Sequence, residues 1–226
     1  VLLPSSANKN MKAISLTDLT KHYGKNRGIE RINLSIEEGE FFGFIGPNGA
    51  GKSTTIRILL GLIKATSGHA EVFGHDVWSK HVSCLQSVGY LPSEAHFYAS
   101  QTVQQALHFA ARLHGADCET QTAYLCKQLQ LDTTRRVSEL SFGNRKKVGI
   151  IAAMQHKPKL LILDEPTSGL DPLMQHTFFR LLKEYNEAGT TIFMSSHILS
   201  EVQHNCTRAA IIREGRLLVS DTVENL

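Results

Sequence analysis

Residues 46–54, GPNGAGKST, are the part of the chain whose residue types and spacing indicate chemistry most directly. They fit the pattern G-x-x-x-x-G-K-[ST], follow the apolar run 41–45 and precede a helical pattern, which is the context that a phosphate-binding loop requires. Glycine lets the backbone approach a phosphate, and successive N–H groups can then converge at the positive end of a helix. The phosphate-binding residues that we predict are Gly46, Asn48, Gly49, Ala50, Gly51, Lys52, Ser53 and Thr54.

Two side chains of this loop have separate predicted roles. Lys52 reaches the β- and γ-phosphates of a nucleotide, and the Ser53 hydroxyl binds Mg²⁺. The alternative is a chance glycine-rich turn, since the bare pattern arises in about one chain of this length in a hundred at average composition. The flanking strand and helix argue against that alternative.

A second group of candidates follows the apolar run 160–163, which ends in Asp164 and Glu165. Ligands of open parallel sheets bind beyond the carboxyl ends of the strands, so these carboxylates are predicted to lie beside the phosphate loop. Asp164 can hold Mg²⁺, and Glu165 can polarise an attacking water. The alternative is an N-cap pair for the next helix, but Pro166, Gly169 and Pro172 separate the carboxylates from that helix.

Hydrophobic periodicity predicts the elements that position these groups. A period near two in residues 14–19 and 32–36 favours antiparallel strands with one solvated face. The segment 159–163, which is apolar from Leu160 onward, favours a central parallel strand. Apolar residues at i, i+3, i+4 and i+7 predict a first helix from near Ser53. Further helices are predicted over 102–114, 119–129, 145–156, 175–187 and 199–204, and further strands over 70–73, 190–194, 209–213 and 216–219.

The predicted fold class is therefore α/β. A parallel sheet forms the core, an antiparallel β region precedes it, and a helical subdomain at about 93–157 is inserted. Residues 11–226 form this domain. Residues 1–10 are expected to be a non-native extension, with Met11 as the native start.

Composition excludes several classes of protein. The formal net charge of +3 gives no indication of nucleic-acid binding. The four cysteines lack C-x-x-C spacing, which argues against a zinc site or a disulfide framework and favours reduced thiols in a cytosolic protein. The eleven histidines are scattered, and most are predicted at the surface. No apolar run approaches the roughly 18–20 residues that span a bilayer, and the N-terminus lacks the pattern of a signal peptide.

The ordered set of motifs resembles the ATP-binding-cassette (ABC) ATPases across nearly all of residues 11–226. Tyr23, in KHYGK, stands where that family places an aromatic residue that stacks on adenine. Ser141 and Gly143, in LSFGN, resemble the signature motif at the start of a helix. Residues 168–171 resemble the D-loop, and His197, in MSSH, resembles the switch histidine. Taken singly, Tyr23 could be a packing aromatic and His197 a structural residue.

This resemblance implies a P-loop NTPase core of the ABC type that binds ATP and Mg²⁺. It implies catalytic roles for Lys52, Glu165 and His197. In the family, two cassettes pack head to tail, so Ser141 and Gly143 of one chain are expected to face the nucleotide held by the other. The cations at 145–147 then either raise the local positive potential or form a solvated face, which is the commoner case.

The chain departs from the family pattern at two places. Phe142 replaces a glycine of the usual LSGGQ motif, and Asn144 replaces its glutamine. Ser93 stands at the position of a glutamine that contacts Mg²⁺ in the family. Either Glu94 supplies an oxygen to the metal instead, or neither residue does.

The function that follows from the resemblance is an ATPase subunit of a membrane transporter. The stretches PTSGLDP and SSHILSEVQ look most like those of ABC-2-type exporters. The expected partners are integral membrane permease subunits and a second ATP-binding subunit, without nucleic acid, at the cytoplasmic face of the membrane. Such subunits often continue beyond a length like this one. The alternatives are a soluble cassette ATPase acting on ribosomes or DNA, and a cassette that binds ATP without turnover.

Overall fold

The computed structural model describes residues 11–115 and 117–226, and the predicted N-terminal extension lies outside these ranges. The strands are β1 (Lys12–Tyr23), β2 (Asn26–Glu37), β3 (Phe41–Ile45), β4 (Ser67–Val72), β5 (His75–Asp76), β6 (Val88–Leu91), β7 (Leu160–Asp164), β8 (Thr191–Ser196), β9 (Arg208–Arg213) and β10 (Arg216–Thr222). The α-helices are α1 (Lys52–Leu59), α2 (His81–Gln86), α3 (Val103–Leu113), α4 (Glu119–Gln128), α5 (Phe142–Met154), α6 (Pro172–Glu187) and α7 (Leu199–Asn205).

Two sheets organise these strands. The first has the order β2-β1-β4-β5 and is antiparallel, as the alternation of its apolar residues predicts. The second has the order β10-β9-β3-β8-β7-β6, in which every neighbouring pair is parallel except β9 and β10. The carboxyl ends of β3, β7 and β8 therefore meet at one edge, where the phosphate loop and the carboxylate pair begin.

Strand β7 lies between β6 and β8, and all five of its residues are buried. Its side chains alternate between two hydrophobic clusters. Leu161 and Leu163 belong to the cluster that also contains residues of α3–α6, while Leu160 and Ile162 belong to the cluster beneath the antiparallel sheet and α1. A strand covered on both faces needs a continuous apolar sequence, which explains the run 160–163.

The chain between β6 and β7 is helical, with α3, α4 and α5 and no strand in its described residues. The hydroxyl of Thr102 accepts from the Gln105 amide while the Gln105 side chain accepts from the Thr102 amide, which fixes the start of α3 as a capping box. Helix α5 begins at Phe142, three residues before the predicted start, because Ser141 accepts a hydrogen bond from the Asn144 amide and forms its N-cap. The boundaries of a separate helical subdomain stay a prediction.

Three elements were not predicted, namely the two-residue strand β5, strand β6 and helix α2. Strand β6 has only four residues and includes Gly89, so its pattern is too short to distinguish from a loop. Helix α2 buries only Cys84 and has no side-chain cap, so it lacks both helix signals. Most histidines are exposed, as predicted, and the four cysteines are buried. Among the described residues, none of the helices is both long and apolar enough to cross a membrane.

Candidate active site

The phosphate loop lies between the end of β3 and the start of α1. Gly51, the N-cap of α1, has a φ of 111°, a conformation that side chains disfavour. A Cβ on Gly46 would come within 2.4 Å of the Ile212 carbonyl oxygen, so β9 also requires glycine at the loop's first position. Both glycines belong to the loop that leads into the N-terminus of α1, where backbone N–H groups suit an anion.

Lys52 is the buried cation of this loop, with 5% of its surface exposed. Its Nζ donates to the Gly46 carbonyl at 2.5 Å and to the Pro47 carbonyl at 3.2 Å. The same Nζ lies 3.2 Å from Glu165 Oε1. Oε1 is buried and accepts no hydrogen bond, so the contact with Lys52 is a charge contact alone. The structure thus joins Lys52 and Glu165, as the sequence predicts.

A cluster of oxygen atoms lies beside Lys52. The Ser53 hydroxyl donates to Asp164 Oδ2 at 2.9 Å, and the Ser195 hydroxyl donates to Asp164 Oδ1 at 2.6 Å. Hydroxyl and carboxylate oxygens are the ligands that Mg²⁺ prefers, so Ser53 and Asp164 fit the metal that the family implies. No group of three or more histidine, cysteine or acidic side chains forms a further metal site among the described residues.

Neighbouring residues contact both the backbone amide and the side-chain carboxylate of Glu165. Its φ is 47°, in the left-handed region, and its amide donates to the Ser195 hydroxyl at 3.2 Å. Its side-chain Oε2 lies 2.7 Å from His197 Nδ1, and half of the His197 side chain is exposed. The carboxylate therefore lies between Lys52 and His197.

A cavity of about 370 Å³ opens in front of these groups. Tyr23, Ser93 and Glu165 line it together with most of the phosphate loop. Tyr23 is 43% exposed, and Lys21 Nζ lies 5.4 Å from the centre of its ring. Arg27 also lines the cavity, but sequence analysis missed it, because one arginine at the start of a strand carries no motif.

Three predicted residues lie elsewhere. Glu94 is exposed and lines a different cavity, where its carboxylate lies 3.8 Å from His96 Nε2. Ser141 and Gly143 lie at the start of α5 and do not line the cavity of Lys52. This separation agrees with a role toward a nucleotide on a second chain. The metal role of Glu94 and the contacts of Ser141 and Gly143 stay predictions.

Phe142 lies against the loop that follows Glu165. A Cβ on Gly169 would come within 2.3 Å of the Phe142 ring, and a Cβ on Gly143 within 2.6 Å of the Gly169 carbonyl oxygen. The start of α5 is therefore packed against residue 169 of the same chain, although the Phe142 side chain remains 44% exposed.

Lys146 excludes, for its own position, one of the two interpretations of residues 145–147, that of a solvated face. It is 2% exposed, and burial lowers its pKa to about 8 against the opposite effect of the Asp164, Glu165 and Glu94 carboxylates. Its Nζ donates to the carbonyl oxygens of Pro92, Ser93 and Glu165. A run of three cations gave no signal that the middle one points inward.

Glu201, on α7, is a second residue that the sequence did not indicate. Its Oε1 accepts from the Thr167 hydroxyl at 2.6 Å, and its Oε2 accepts from the Ser196 hydroxyl at 2.7 Å. It ties the end of β8 to the loop after Glu165. A single acidic residue on a short helix carries no pattern from which this contact could be predicted.

Comparison with known proteins agrees with this geometry. A family model described as "ABC transporter" matches residues 29–168. The bacitracin transport ATP-binding protein BcrA of Bacillus licheniformis is 41% identical over 211 residues, which cover 91% of this chain and 68% of BcrA. The chain belongs to the ABC transporter ATP-binding family.

Other members of the family are similar to this cassette over most of its length. The probable multidrug ABC transporter ATP-binding protein YbhF of Escherichia coli is 32% identical over 218 residues, which cover 94% of the cassette but 38% of YbhF. A solved structure of an ATP-binding subunit of an ABC transporter superposes with a TM-score of 0.90 at 28% identity, covering 94% of the cassette and 91% of that chain. The ABC-type P-loop fold predicted from the motifs is thus confirmed.

Proposed function

We propose that this cassette binds and hydrolyses MgATP as the energy-supplying subunit of a membrane exporter. The observation that carries the proposal is the set of contacts Lys52–Glu165–His197 beside the Ser53–Asp164 pair. A cation for phosphate, oxygen ligands for Mg²⁺ and a carboxylate base are the three parts that phosphoryl transfer to water needs.

Binding is assigned to the phosphate loop and Tyr23. The amides of the loop and the Lys52 ammonium hold the phosphates, and the Tyr23 ring, at the mouth of the same cavity, stacks on adenine. Phosphate oxygens compete with Glu165 for the Lys52 ammonium, since both are anions. Ser53 and Asp164 would hold Mg²⁺, which offsets the negative charge of the phosphates.

Hydrolysis is assigned to Glu165. Its carboxylate accepts a proton from the water that attacks the γ-phosphorus, the bond from that phosphorus to the bridging oxygen breaks, and ADP and phosphate leave. His197 orients the carboxylate through the contact with Oε2. The residues assigned to phosphate, metal and base chemistry within one chain are all present, so we do not favour a cassette that binds ATP without hydrolysing it: Lys52, Ser53, Asp164, Glu165 and His197.

A second cassette completes the site in this proposal. Ser141 is exposed at the N-terminus of α5, a helix of 13 residues, and a hydroxyl at a helix N-terminus suits a γ-phosphate. Because Ser141 does not line the cavity of Lys52, it would serve the nucleotide of a partner chain. The resulting dimer is two-fold and forms with ATP.

Coupling to transport is supported by the relatives, since BcrA is named for bacitracin transport and YbhF for a multidrug transporter. Those names disfavour a soluble ATPase acting on ribosomes or DNA. In this proposal integral membrane permease subunits, which are other chains, choose the cargo. The cassette binds them at the cytoplasmic face of the membrane.

The test uses the purified cassette and its Glu165→Gln variant. Phosphate release that needs both ATP and Mg²⁺ and is lost in the variant supports the ATPase. Affinity capture from detergent-solubilised host membranes then separates the two cellular roles. An integral membrane protein retained by the cassette supports the transporter, whereas ribosomal proteins or DNA retained in its place would support the soluble alternative.

A further inference from the structure

Lys146 is a buried cation that the phosphate chemistry does not use. It lies on α5, is 2% exposed, and makes no ion pair with a carboxylate within the described ranges. A charge without a counter-ion is costly in a protein interior unless hydrogen bonds satisfy it. An ammonium group has three donors, so three acceptors are needed.

Three backbone carbonyls supply those acceptors. Lys146 Nζ donates to the Pro92 oxygen at 3.1 Å, the Ser93 oxygen at 2.9 Å and the Glu165 oxygen at 3.1 Å. The first two follow β6, and the third follows β7. One ammonium therefore joins α5 to two segments that are distant from it in the sequence.

The contact with Glu165 bears on the candidate base. A left-handed backbone is disfavoured by about 1–2 kcal/mol for a residue with a side chain, and Glu165 has this conformation with a φ of 47°. Its amide is held by Ser195 and its carbonyl by Lys146, while the Ser168 amide is a more distant donor to that carbonyl at 3.4 Å. Both backbone dipoles of Glu165 are thus fixed, and with them the direction of its side chain.

The contacts with Pro92 and Ser93 bear on the rim of the cavity. Ser93 lines the cavity in front of Lys52. Helix α5 packs closely on the same segment, because a Cβ on Gly149 would come within 2.9 Å of Leu91 and Ala95. A displacement of α5 would therefore change the position of this rim.

We propose that Lys146 is a positioning residue that aligns Glu165 with the start of α5. Ser141 lies five residues before Lys146, about 7.5 Å along the helix axis. A shift of α5 that moves Ser141 would also move the ammonium and release the Glu165 carbonyl. The site would then hydrolyse ATP efficiently only with α5 in its present place. This inference rests on the proposed ATPase function.

Three variants of the full chain test the proposal. Lys146→Met keeps much of the side-chain length and removes all three donors, and Lys146→Gln keeps two. Lys147→Met is the matched control, since Lys147 is the next residue of α5 and is partly exposed. The measurements are kcat and KM for ATP hydrolysis, Kd for a fluorescent ATP analogue, and the melting temperature.

We expect Lys146→Met to lower kcat by about 10²-fold, which is the effect of misplacing a catalytic group by about 1 Å. Its Kd should equal that of the parent, Lys146→Gln should recover part of kcat, and Lys147→Met should behave as the parent. In the Glu165→Gln background, Lys146→Met should cause no further loss, because the lysine acts through that carboxylate.

Each other result would overturn the proposal. Unchanged kcat in Lys146→Met would mean that Glu165 is held without the lysine. A full further loss in the Glu165→Gln background would mean that Lys146 acts elsewhere, and a parallel weakening of Kd would make it a binding residue. If Lys146→Met fails to fold, the same comparison of kcat, Kd and the Glu165→Gln background is made with Lys146→Gln. An inactive parent chain would overturn the ATPase function itself, which the failure of Lys146→Met alone would leave standing.

Discussion

Glu165 Oε2 lies 2.7 Å from His197 Nδ1, although 32 positions of sequence separate the two residues. The other oxygen of the same carboxylate faces Lys52 Nζ at 3.2 Å. Both oxygens of Glu165 are thus directed by neighbours, one at the end of β8 and the other at the start of α1. A carboxylate oriented in this way is suited to accept a proton from one particular direction.

Replacing Lys52 by alanine tests the phosphate site. Lys52→Ala should weaken MgATP binding by about 2–4 kcal/mol, as expected when one partner of a buried charged contact is removed. Titration calorimetry with a non-hydrolysable ATP analogue measures the change. Lys183→Ala, on the exposed part of α6, is the control and should bind as the parent does. Unchanged affinity and turnover in Lys52→Ala would remove the phosphate-loop assignment.

The role of Tyr23 can be separated from packing by two substitutions. Tyr23→Ala should weaken ATP binding by about 1–3 kcal/mol, because a stacked base loses its aromatic partner. Tyr23→Trp should retain the affinity, since indole also offers a face for stacking. Equal binding by Tyr23→Ala and the parent, measured by the same calorimetry, would make Tyr23 a packing residue only.

The base is tested by Glu165→Gln, which keeps the shape of the side chain but loses its charge. Hydrolysis should fall by roughly 10²–10⁴-fold while ATP still binds. The assay is phosphate release at saturating MgATP, with Glu187→Gln at the exposed end of α6 as the control. A fully active Glu165→Gln variant would exclude Glu165 as the proton acceptor.

Assembly should depend on Ser141. Glu165→Gln with MgATP should form a dimer in light scattering, because ATP that is not hydrolysed holds the two chains together. Adding Ser141→Arg should prevent that dimer without preventing ATP binding to the monomer, whereas adding Ser83→Arg on α2 should not. A Glu165→Gln protein that stays monomeric at saturating MgATP argues against a shared site. Restoring Phe142→Gly and Asn144→Gln would then show whether the variant motif is the cause.

His156 predicts a pH dependence of stability. Its ring stacks on that of His114 with centroids 3.6 Å apart, and burial lowers its pKa from 6.5 to about 4. The unfolded chain therefore binds a proton more readily than the folded one, so this contribution to stability is complete above pH 6.5 and is lost as the pH falls toward 4. The free energy of unfolding in urea should decrease over that window.

His156→Leu should reduce the decrease in the free energy of unfolding at acid pH. His176→Leu, at an exposed position, should leave that decrease unchanged. The same urea titrations, repeated at several pH values, give the two slopes. If the free energy of unfolding falls with the same slope at acid pH in His156→Leu and in the parent, a group other than His156 takes up the proton.

Much of this fold could be predicted from local patterns. The continuous apolar run 160–163 predicted a central parallel strand, and the residue spacing in 46–54 predicted the phosphate loop. Both patterns are properties of short segments. Lys146 and Glu201 could not be found in this way, since their hydrogen-bond partners lie on segments that only the tertiary structure brings near. Glu94 was a candidate by position in the family pattern, and its side chain faces a different cavity.

The register of strand β7 sets the position of the carboxylates at its carboxyl end. Its side chains alternate between two hydrophobic clusters, and Asp164, its last residue, pairs with Ser195 of β8. A slip of one residue would exchange the two sets of leucine and isoleucine side chains and withdraw the carboxylates by about 3.3 Å. The packing of β7 against both hydrophobic clusters thus also sets how far Asp164 and Glu165 extend toward the phosphates. Selection for a well-packed core therefore preserves the alignment of the site, even at positions that never contact a nucleotide.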